Sequence, residues 1–174
     1  RSQQLGMHVI SISYLALTQE LDEVGAAQPG WQDWYRYFPW EDWRDGMPGV
    51  IAERIAPALH AWSEAASDSV ARSARWQRAS MTFGLDEHEW NEELVLQRYE
   101  LLFEAGVVPE AWGEGDEARA AELLPGAAMS NDHRRILATG MARLRAKIKY
   151  RPVVFELMPE EFSLLQLQQT VEAL

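Results

Sequence analysis

The sequence has no cysteine, no long apolar run and few basic residues compared with acidic ones. Without cysteine it can form no disulfide framework and no thiolate metal site, and it has no thiol nucleophile. No apolar run approaches the roughly 18 residues that cross a bilayer, and the first residues lack the apolar core of a signal peptide. These absences predict a soluble, cytoplasmic protein without a membrane partner.

The length bounds the architecture. The 174 residues are enough for one domain with its own core, but too few for two large domains. The sequence begins without methionine and stops within a predicted helix. We therefore expect it to be a fragment of a longer protein.

The charge is unevenly distributed along the chain. The net charge is −11, yet residues 131–151 carry seven basic residues and one acidic residue, a net +6 that leaves −17 elsewhere. An acidic body repels nucleic acid, so any DNA contact must be made by a local basic surface or by a missing part. We predict that the basic residues brace a junction or touch the DNA backbone; the alternative is a solvated helix face that balances the acidic body. They are Arg134, Arg135, Arg143, Arg145, Lys147, Lys149 and Arg151.

Two strands are predicted near the N-terminus. Residues 7–17 are β-branched and aromatic with an alternating pattern, which is typical of a mostly buried strand. Residues 31–43 hold seven aromatic side chains in thirteen positions, and we predict a second strand over residues 34–38 that turns at Pro39. Aromatic faces stack on bases, although packing in the core of a small sheet is the alternative for most of these rings. The predicted effector contacts are Tyr14, Trp34, Arg36 and Trp40.

Helical patterns dominate the middle of the chain. Apolar residues spaced by three and four predict an amphipathic helix within residues 50–77, with a possible kink at Pro57. A second helix is predicted over residues 87–105, ending at Gly106. The apolar positions of the first helix are Ile51, Ile55, Leu59 and Trp62.

The C-terminal third predicts two further helices. Asn131 or Asp132 can begin a helix with an apolar stripe of Leu137, Met141, Leu144 and Ile148, while the basic residues lie largely off this stripe. Residues 153–157 are predicted to be an extended apolar run. Ser163 and Gln166 have the spacing of a capping box for a last helix. The predicted buried side of that helix comprises Leu164, Leu167, Val171 and Leu174.

Residues 84–107 partly resemble the Nudix box, a loop-helix-loop in which carboxylates hold a divalent metal against a diphosphate. Glu100 and Glu104 match that signature, but Tyr99 replaces its arginine and Phe103 replaces one metal-binding glutamate. We interpret the match as chance in a glutamate-rich helix. The sequence therefore predicts no catalytic residue and no metal site.

Three segments carry a more specific resemblance. Residues 133–137 (HRRIL), 143–152 (RLRAKIKYRP) and 159–168 (PEEFSLLQLQ) resemble the junction in Nudix-related transcriptional regulators of bacterial NAD metabolism. In that family a Nudix-like effector domain leads through a helix into a C-terminal winged helix-turn-helix. Residues 8–17 resemble the strand that follows the Nudix helix, and residues 35–43 resemble the Trp-Phe-Pro-Leu segment near the end of the Nudix fold. Residues 50–130 resemble the helical insertion of the NAD regulator branch.

The resemblance implies an α+β, helix-rich fold with a partial Nudix-like sheet. Its parts would be the end of a Nudix-like effector domain (1–49), a helical insertion (50–130), a basic connecting helix (131–151) and the start of a winged helix-turn-helix (152–174). It implies a non-catalytic, ligand-responsive regulator of NAD biosynthesis or salvage genes. Such a protein would need no cofactor, would respond to ADP-ribose, NAD or ATP, and would form a homodimer on operator DNA. The alternatives are a Nudix-type pyrophosphatase with an intact upstream box, or a protein-interaction module without a ligand.

Overall fold

The computed structural model describes residues 13–16, 32–112 and 124–172, and at positions 152 and 156 it describes the backbone alone. These residues form α-helices joined by short 3-10 and π-helical turns, and none of them lies in a β-strand. The predicted α+β fold with a partial Nudix-like sheet is therefore wrong for this part of the chain, which is helical.

The α-helices are α1 (Ala56–Glu64), α2 (Ser69–Phe83), α3 (Val95–Glu104), α4 (His133–Tyr150) and α5 (Leu164–Glu172). The 3-10 turns are Trp34–Arg36, Pro39–Glu41, Glu92–Leu94, Pro109–Ala111 and Pro152–Leu157, and a π-helical turn covers Ile51–Ile55. Within the described ranges, no helix combines the length and the apolar character needed to cross a membrane.

The aromatic segment forms two 3-10 turns where a second strand was predicted. The carboxylate of Asp33 accepts a hydrogen bond from the Tyr35 backbone N–H at 2.9 Å, which starts a turn. The buried rings are Tyr35, Phe38 and Trp40, and their spacing does not follow the alternation of a strand. The many aromatic residues therefore led to the prediction of a strand, which is wrong. Asp33, which begins the turn, is the residue that indicated the 3-10 turn instead.

The predicted N-terminal strand lies mostly outside the described residues. Residues 13–16 are described and have no regular secondary structure. Tyr14 in this stretch is 91% exposed. The remainder of the predicted strand at 7–17 falls on residues that the structure does not describe.

The helix predicted within residues 50–77 is divided into three elements. The π-helical turn Ile51–Ile55 runs into α1, whose second residue is Pro57. Proline lacks the N–H that would continue the ordinary ladder, which accounts for the wider turn before it. Asp68 then begins α2 by accepting a hydrogen bond from Ala71 N–H at 2.8 Å. The predicted apolar stripe is confirmed at Ile51, Ile55 and Leu59, all of which are buried.

The core lies where α3 packs along α4 and the two aromatic 3-10 turns cover them. Burying each large apolar side chain stabilises the fold by about 1.5–3 kcal/mol. The largest fully buried apolar residues include Trp40, Tyr99, Phe38, Phe83, Leu102 and Met141. Two arginines, Arg98 and Arg134, are equally buried within this core.

Gly84 ends α2 and lets the following segment approach it closely. Its φ of 60° lies in the left-handed region that favours glycine. A Cβ at this position would lie 2.9 Å from the backbone nitrogen of Trp90, which is closer than side-chain carbons are found. Glycine therefore allows the loop after α2 to place Trp90 beside the core.

The C-terminal segment buries Val154 and Met158, but no described residue of α5. Residues 153–157, predicted to be extended, lie in the 3-10 turn Pro152–Leu157. The predicted capping box is confirmed, because Ser163 N–H donates to Gln166 Oε1 at 2.7 Å and Gln166 N–H donates to Ser163 Oγ at 3.2 Å. The predicted buried side of α5 is wrong for Leu164, Leu167 and Val171, since no described residue of this helix is buried and Leu164 is 83% exposed. Leu174, the fourth residue of that side, lies outside the described residues.

Candidate functional site

A cleft of about 750 Å³ opens between α4, the loop before α3 and the C-terminal segment. Its size is that of a small-molecule pocket. Three groups of side chains form it: a charged floor, an aromatic wall and a charged rim. The described lining residues are Tyr35, Glu41, Trp43, Arg44, Trp90, Glu92, Arg145, Ile148, Lys149, Val154, Val171 and Glu172.

The charged floor consists of Glu41, Arg98 and Arg145. Arg98 donates to both carboxylate oxygens of Glu41, from Nε at 2.6 Å and from Nη2 at 2.9 Å. Arg145 donates to the same carboxylate from Nη1 at 2.6 Å and to the Glu41 carbonyl from Nη2 at 3.1 Å. All three side chains are at least nine-tenths buried. Two guanidinium groups thus share one carboxylate, and the negative charge of Glu92 acts on both of them.

Backbone carbonyls and an aromatic ring complete the surroundings of Arg98. Its Nη1 donates to the carbonyls of Asn91 at 2.9 Å and Thr82 at 3.2 Å, and its guanidinium lies 3.7 Å from the centre of the Trp90 ring. Burial lowers the pKa of Arg98, with Glu41 acting in the opposite direction. These contacts tie α3 to the end of α2 and to the loop that carries Trp90.

The aromatic wall consists of Trp43 and Trp90. Their ring centres lie 4.6 Å apart with the planes inclined by 37°. The indole N–H of Trp43 is buried and has no hydrogen-bond partner among the described residues. An unpaired buried donor is costly, and an acceptor atom of a bound molecule is one way to satisfy it.

The rim carries both signs of charge. Arg44 donates to Asp42 at 2.7 Å, and this hydrogen bond lowers the pKa of Asp42. Lys149 reaches Glu92 at 3.1 Å and Glu93 at 3.2 Å, and these contacts raise the pKa of Lys149. The pKa of Glu92 is lowered, chiefly by a hydrogen bond from its own backbone N–H and further by Lys149. On the rim, the two cations are thus paired with the carboxylates of Asp42, Glu92 and Glu93.

A second buried arginine lies at the start of α4. Arg134 pairs with Glu110 at 3.2 Å and donates to the carbonyl of Tyr37. The rings of Phe38, Trp40 and Tyr99 surround its guanidinium at 5.3–5.6 Å from their centres. Burial lowers the pKa of Arg134. This arginine holds α4 against the aromatic turns and the loop after α3.

The predicted effector residues do not come together in the structure. Trp40 is fully buried in the core, and Trp34 packs against the core from its edge. Arg36 is exposed and donates to Gln32 at 2.5 Å, while Tyr14 is exposed in a stretch without regular structure. The described lining of the cleft includes none of the four. Their role in effector binding stays a prediction.

The seven basic residues predicted to touch DNA or brace the junction differ in exposure: two are buried, one is half-buried and four are exposed. Arg134 and Arg145 are buried and paired with carboxylates, and the expectation that these two lie off the apolar stripe of α4 is wrong. Arg135 is half-buried and lies 3.4 Å from Asp132. Four residues are exposed, and they are Arg143, Lys147, Lys149 and Arg151.

Several residues of the site were missed from the sequence. Arg98 had a recognisable signal, because it occupies a buried position of α3 between Val95 and Leu102. Glu41 lies within the aromatic segment and has no local signal, because its partner Arg98 is 57 positions away in sequence. Trp43, Arg44 and Trp90 had no distinguishing signal, since their roles depend on which chain segments meet.

The carboxylates of the partial Nudix box lie on α3 near arginines. Glu104 pairs with Arg78, and Glu100 lies 4.0 Å from Arg135. Over the described ranges, no group of three or more histidine, cysteine, aspartate or glutamate side chains is arranged to hold a metal ion.

Comparison with protein-family models finds no family that matches this sequence. Comparison with curated proteins likewise finds no significant match.

Proposed function

We propose that this chain is part of a cytoplasmic, ligand-responsive transcriptional regulator of NAD biosynthesis or salvage genes. The resemblance of its junction segments supports this proposal, and one structural observation carries it. Arg143, Lys147 and Arg151 are exposed cations spaced by four residues along α4 and its end, and none has an ion-pair partner among the described residues. We call these three residues the basic stripe.

The spacing of the basic stripe supports contact with a nucleic-acid backbone. Residues four apart lie on the same side of a helix, so Arg143 and Lys147 share one face of α4, and Arg151 follows directly at its C-terminal end. Free cations in an otherwise acidic protein attract phosphate groups, and they position the protein without reading the bases. The stripe therefore acts as a backbone contact beside whatever element reads sequence.

The cleft supports ligand control of that contact. Its lining comes from residues 35–44, from the loop before α3, from α4 and from the C-terminal segment, so a molecule that fills it would contact several of these elements. A ligand that prefers one arrangement of these elements changes the population of that arrangement. In a homodimer this would alter the spacing of two basic stripes, and hence the affinity for an operator.

The first experiment measures the salt dependence of binding to duplex DNA. The test variant replaces the basic stripe by glutamine, with Arg143→Gln, Lys147→Gln and Arg151→Gln. The negative slope of log K for DNA binding against log salt should become less steep by about 0.9 per lost phosphate contact. The matched control makes the same change in charge on the exposed surface of the body, with Arg54→Gln, Arg72→Gln and Arg78→Gln. Equal slopes for the two triple variants would exclude the stripe as a phosphate contact.

The second experiment tests the response to ligand. It measures how tightly the intact natural protein binds promoter DNA of NAD-metabolism genes, with and without ADP-ribose, NAD or ATP. We expect at least one nucleotide to change the affinity by about 5- to 150-fold, the usual range of allosteric coupling. The same affinity under all conditions would contradict ligand-responsive regulation.

A protein-interaction module without a ligand is the second candidate. The C-terminal segment favours it, because Phe155, Leu164 and Leu165 are at least half exposed. This candidate predicts that nucleotides cause no thermal shift in the intact protein. The oligomeric state, measured by sedimentation, tests the homodimer separately.

A further inference from the structure

We propose that the C-terminal segment is the surface through which two copies of this chain pair. The centre of this surface is an apolar patch, which comprises Phe155, Phe162, Leu164 and Leu165. In the pair, Arg151 of one copy faces the carboxylates of Glu160 and Glu161 of the other. This inference deepens the proposed function, because it assigns the surface of the homodimer, and it is tested without DNA.

The apolar patch is uncovered among the described residues. Leu164 is 83% exposed, Leu165 is 62% exposed and Phe155 is half-exposed. The ring centres of Phe155 and Phe162 lie 5.8 Å apart, which joins the 3-10 turn Pro152–Leu157 to the residues that begin α5. Burial of one large apolar side chain can change an affinity by about tenfold or more. Contact at this patch is therefore able to hold two proteins together.

The charges of residues 152–172 disfavour two other occupants of the patch. This segment contains four glutamates and neither lysine nor arginine. An amphipathic helix that lies on an anionic membrane carries basic residues on its polar face, and a nucleic acid repels carboxylates. The occupant that fits this segment is another protein.

Charge complementarity indicates that this protein is a second copy. Phe155 lies in a 3-10 turn that contacts both α4 and α5. Exposed charges stand before and after this turn, with Arg151 at the end of α4 and with Glu160 and Glu161 ahead of α5, and none of the three has an ion-pair partner among the described residues. A two-fold axis places the same surface on both copies, so the cation of each copy can meet the carboxylates of the other. The net charge of −11 makes most other surfaces repel a second copy.

The first test measures pairing of the intact protein by sedimentation equilibrium. We expect a dimer with a Kd below about 100 µM. Leu164→Gln combined with Leu165→Gln should weaken the dimer by about tenfold or more, because two apolar side chains are lost from the interface. Glutamine and leucine have similar helix propensities, so α5 should be retained.

The matched control for this variant lies on α2. Val70→Gln combined with Met81→Gln also replaces two exposed apolar residues of one helix, and it should leave the Kd of the dimer unchanged. Circular dichroism confirms that both double variants fold.

The second test reverses the charges beside the patch. Glu160→Lys combined with Glu161→Lys should weaken the dimer by about tenfold, because cations then face Arg151. Adding Arg151→Glu should restore most of the lost affinity, since each copy again presents opposite charges to the other. The control is Glu87→Lys combined with Glu89→Lys, which makes the same change in net charge at exposed positions after α2 and should not weaken the dimer.

Four results would overturn the inference. The protein stays monomeric at about 100 µM, the α2 control weakens the dimer as much as the α5 variant, the carboxylate variant leaves the Kd unchanged, or Arg151→Glu fails to restore the affinity. A monomer that binds phosphatidylglycerol vesicles belongs to the first case and would assign the patch to a membrane.

These outcomes are separate from failure of the proposed function. Salt-dependent DNA binding by a protein that stays monomeric would keep the basic stripe and remove only this pairing surface. A dimer that responds to the variants as expected but has no affinity for DNA would do the reverse.

Discussion

Arg145 and Arg143 are two residues apart on α4, yet they have opposite environments. Arg145 is 8% exposed and pairs with Glu41, and it ties α4 to the floor of the cleft. Arg143 is exposed on the other side of the helix and has no ion-pair partner among the described residues. One basic run of sequence therefore contains an internal set of charges that fastens the helix and an external set available to other molecules.

The difference follows from where their partners lie. Glu41 is 104 positions from Arg145 in sequence, and Glu110 is 24 positions from Arg134. The charge pattern along α4 shows neither partner. A net charge counted over a segment consequently overstates the charge that reaches the surface.

The largest expected effect comes from removing the shared carboxylate. Glu41→Gln leaves two buried guanidinium groups without an anionic partner, which should lower the free energy of unfolding by about 3–5 kcal/mol. Urea unfolding followed by circular dichroism measures this change. The exposed Glu87→Gln is the control and should stay within about 0.5 kcal/mol of the parent. Equal losses for both variants would show that Glu41 does not hold the floor together.

The second prediction compares the internal and external arginines directly. Arg145→Met removes the hydrogen bonds to Glu41 but leaves Arg98 as a partner, so we expect a loss of about 1.5–3 kcal/mol. Arg143→Met should change stability by no more than about 0.5 kcal/mol. The same urea experiment applies. A loss for Arg143→Met as large as that for Arg145→Met would remove the distinction between the two sets.

The third prediction concerns alkaline pH and the interior around Arg134. Burial raises the pKa of Tyr99 to about 12, with the carboxylate of Glu110 adding to the effect. Between pH 10 and this value the unfolded chain loses the phenolic proton while the folded protein keeps it. The stability that is present below pH 10 should therefore fall by up to about 2 kcal/mol as the pH rises.

Tyr99→Phe isolates this contribution. The variant has no phenol to titrate, so its stability should fall less than that of the parent over the same pH range. The exposed Tyr150→Phe is the matched control and should follow the parent. Parallel curves for the parent and Tyr99→Phe would show that the phenol does not titrate in this way.

The sequence predicted the helices better than the site. Apolar residues spaced by three and four located α1, α3 and α4, and the reciprocal cap of Ser163 and Gln166 located the start of α5. These signals are local, because both partners lie within a few residues of each other. Such local signals therefore do not depend on how the rest of the chain folds.

The fold class was not predictable in the same way. The composition of the aromatic segment favours a strand, but Asp33 starts a turn there and the spacing of the buried rings does not follow a strand. β-propensity describes a side chain that fits a half-buried sheet, so it has little force here, because the described residues form no sheet. The cleft was equally inaccessible, because it depends on the meeting of Trp43, Trp90 and Arg145 from three separate segments.

The smallest expected effect belongs to the exposed ion pairs of Lys149 with Glu92 and Glu93. Exposed pairs of this kind are weak and are screened by salt, so Lys149→Met should lower Tm only slightly, and less in 1 M salt.

The same ion pairs should depend on pH. The pKa of Glu92 is lowered, so the charged carboxylate stabilises the fold above pH 4.5, its ordinary pKa, and this stabilisation is lost as the pH falls further. The pKa of Lys149 is raised, so the charged ammonium group stabilises the fold below pH 10.5, its ordinary pKa, and this stabilisation is lost as the pH rises further. The difference in Tm between the parent and Lys149→Met should therefore exist near pH 7 and become smaller as the pH falls below 4.5. A difference that is unchanged in acid and in 1 M salt would mean that Lys149 acts through packing, and would move it from the external set of charges to the internal one.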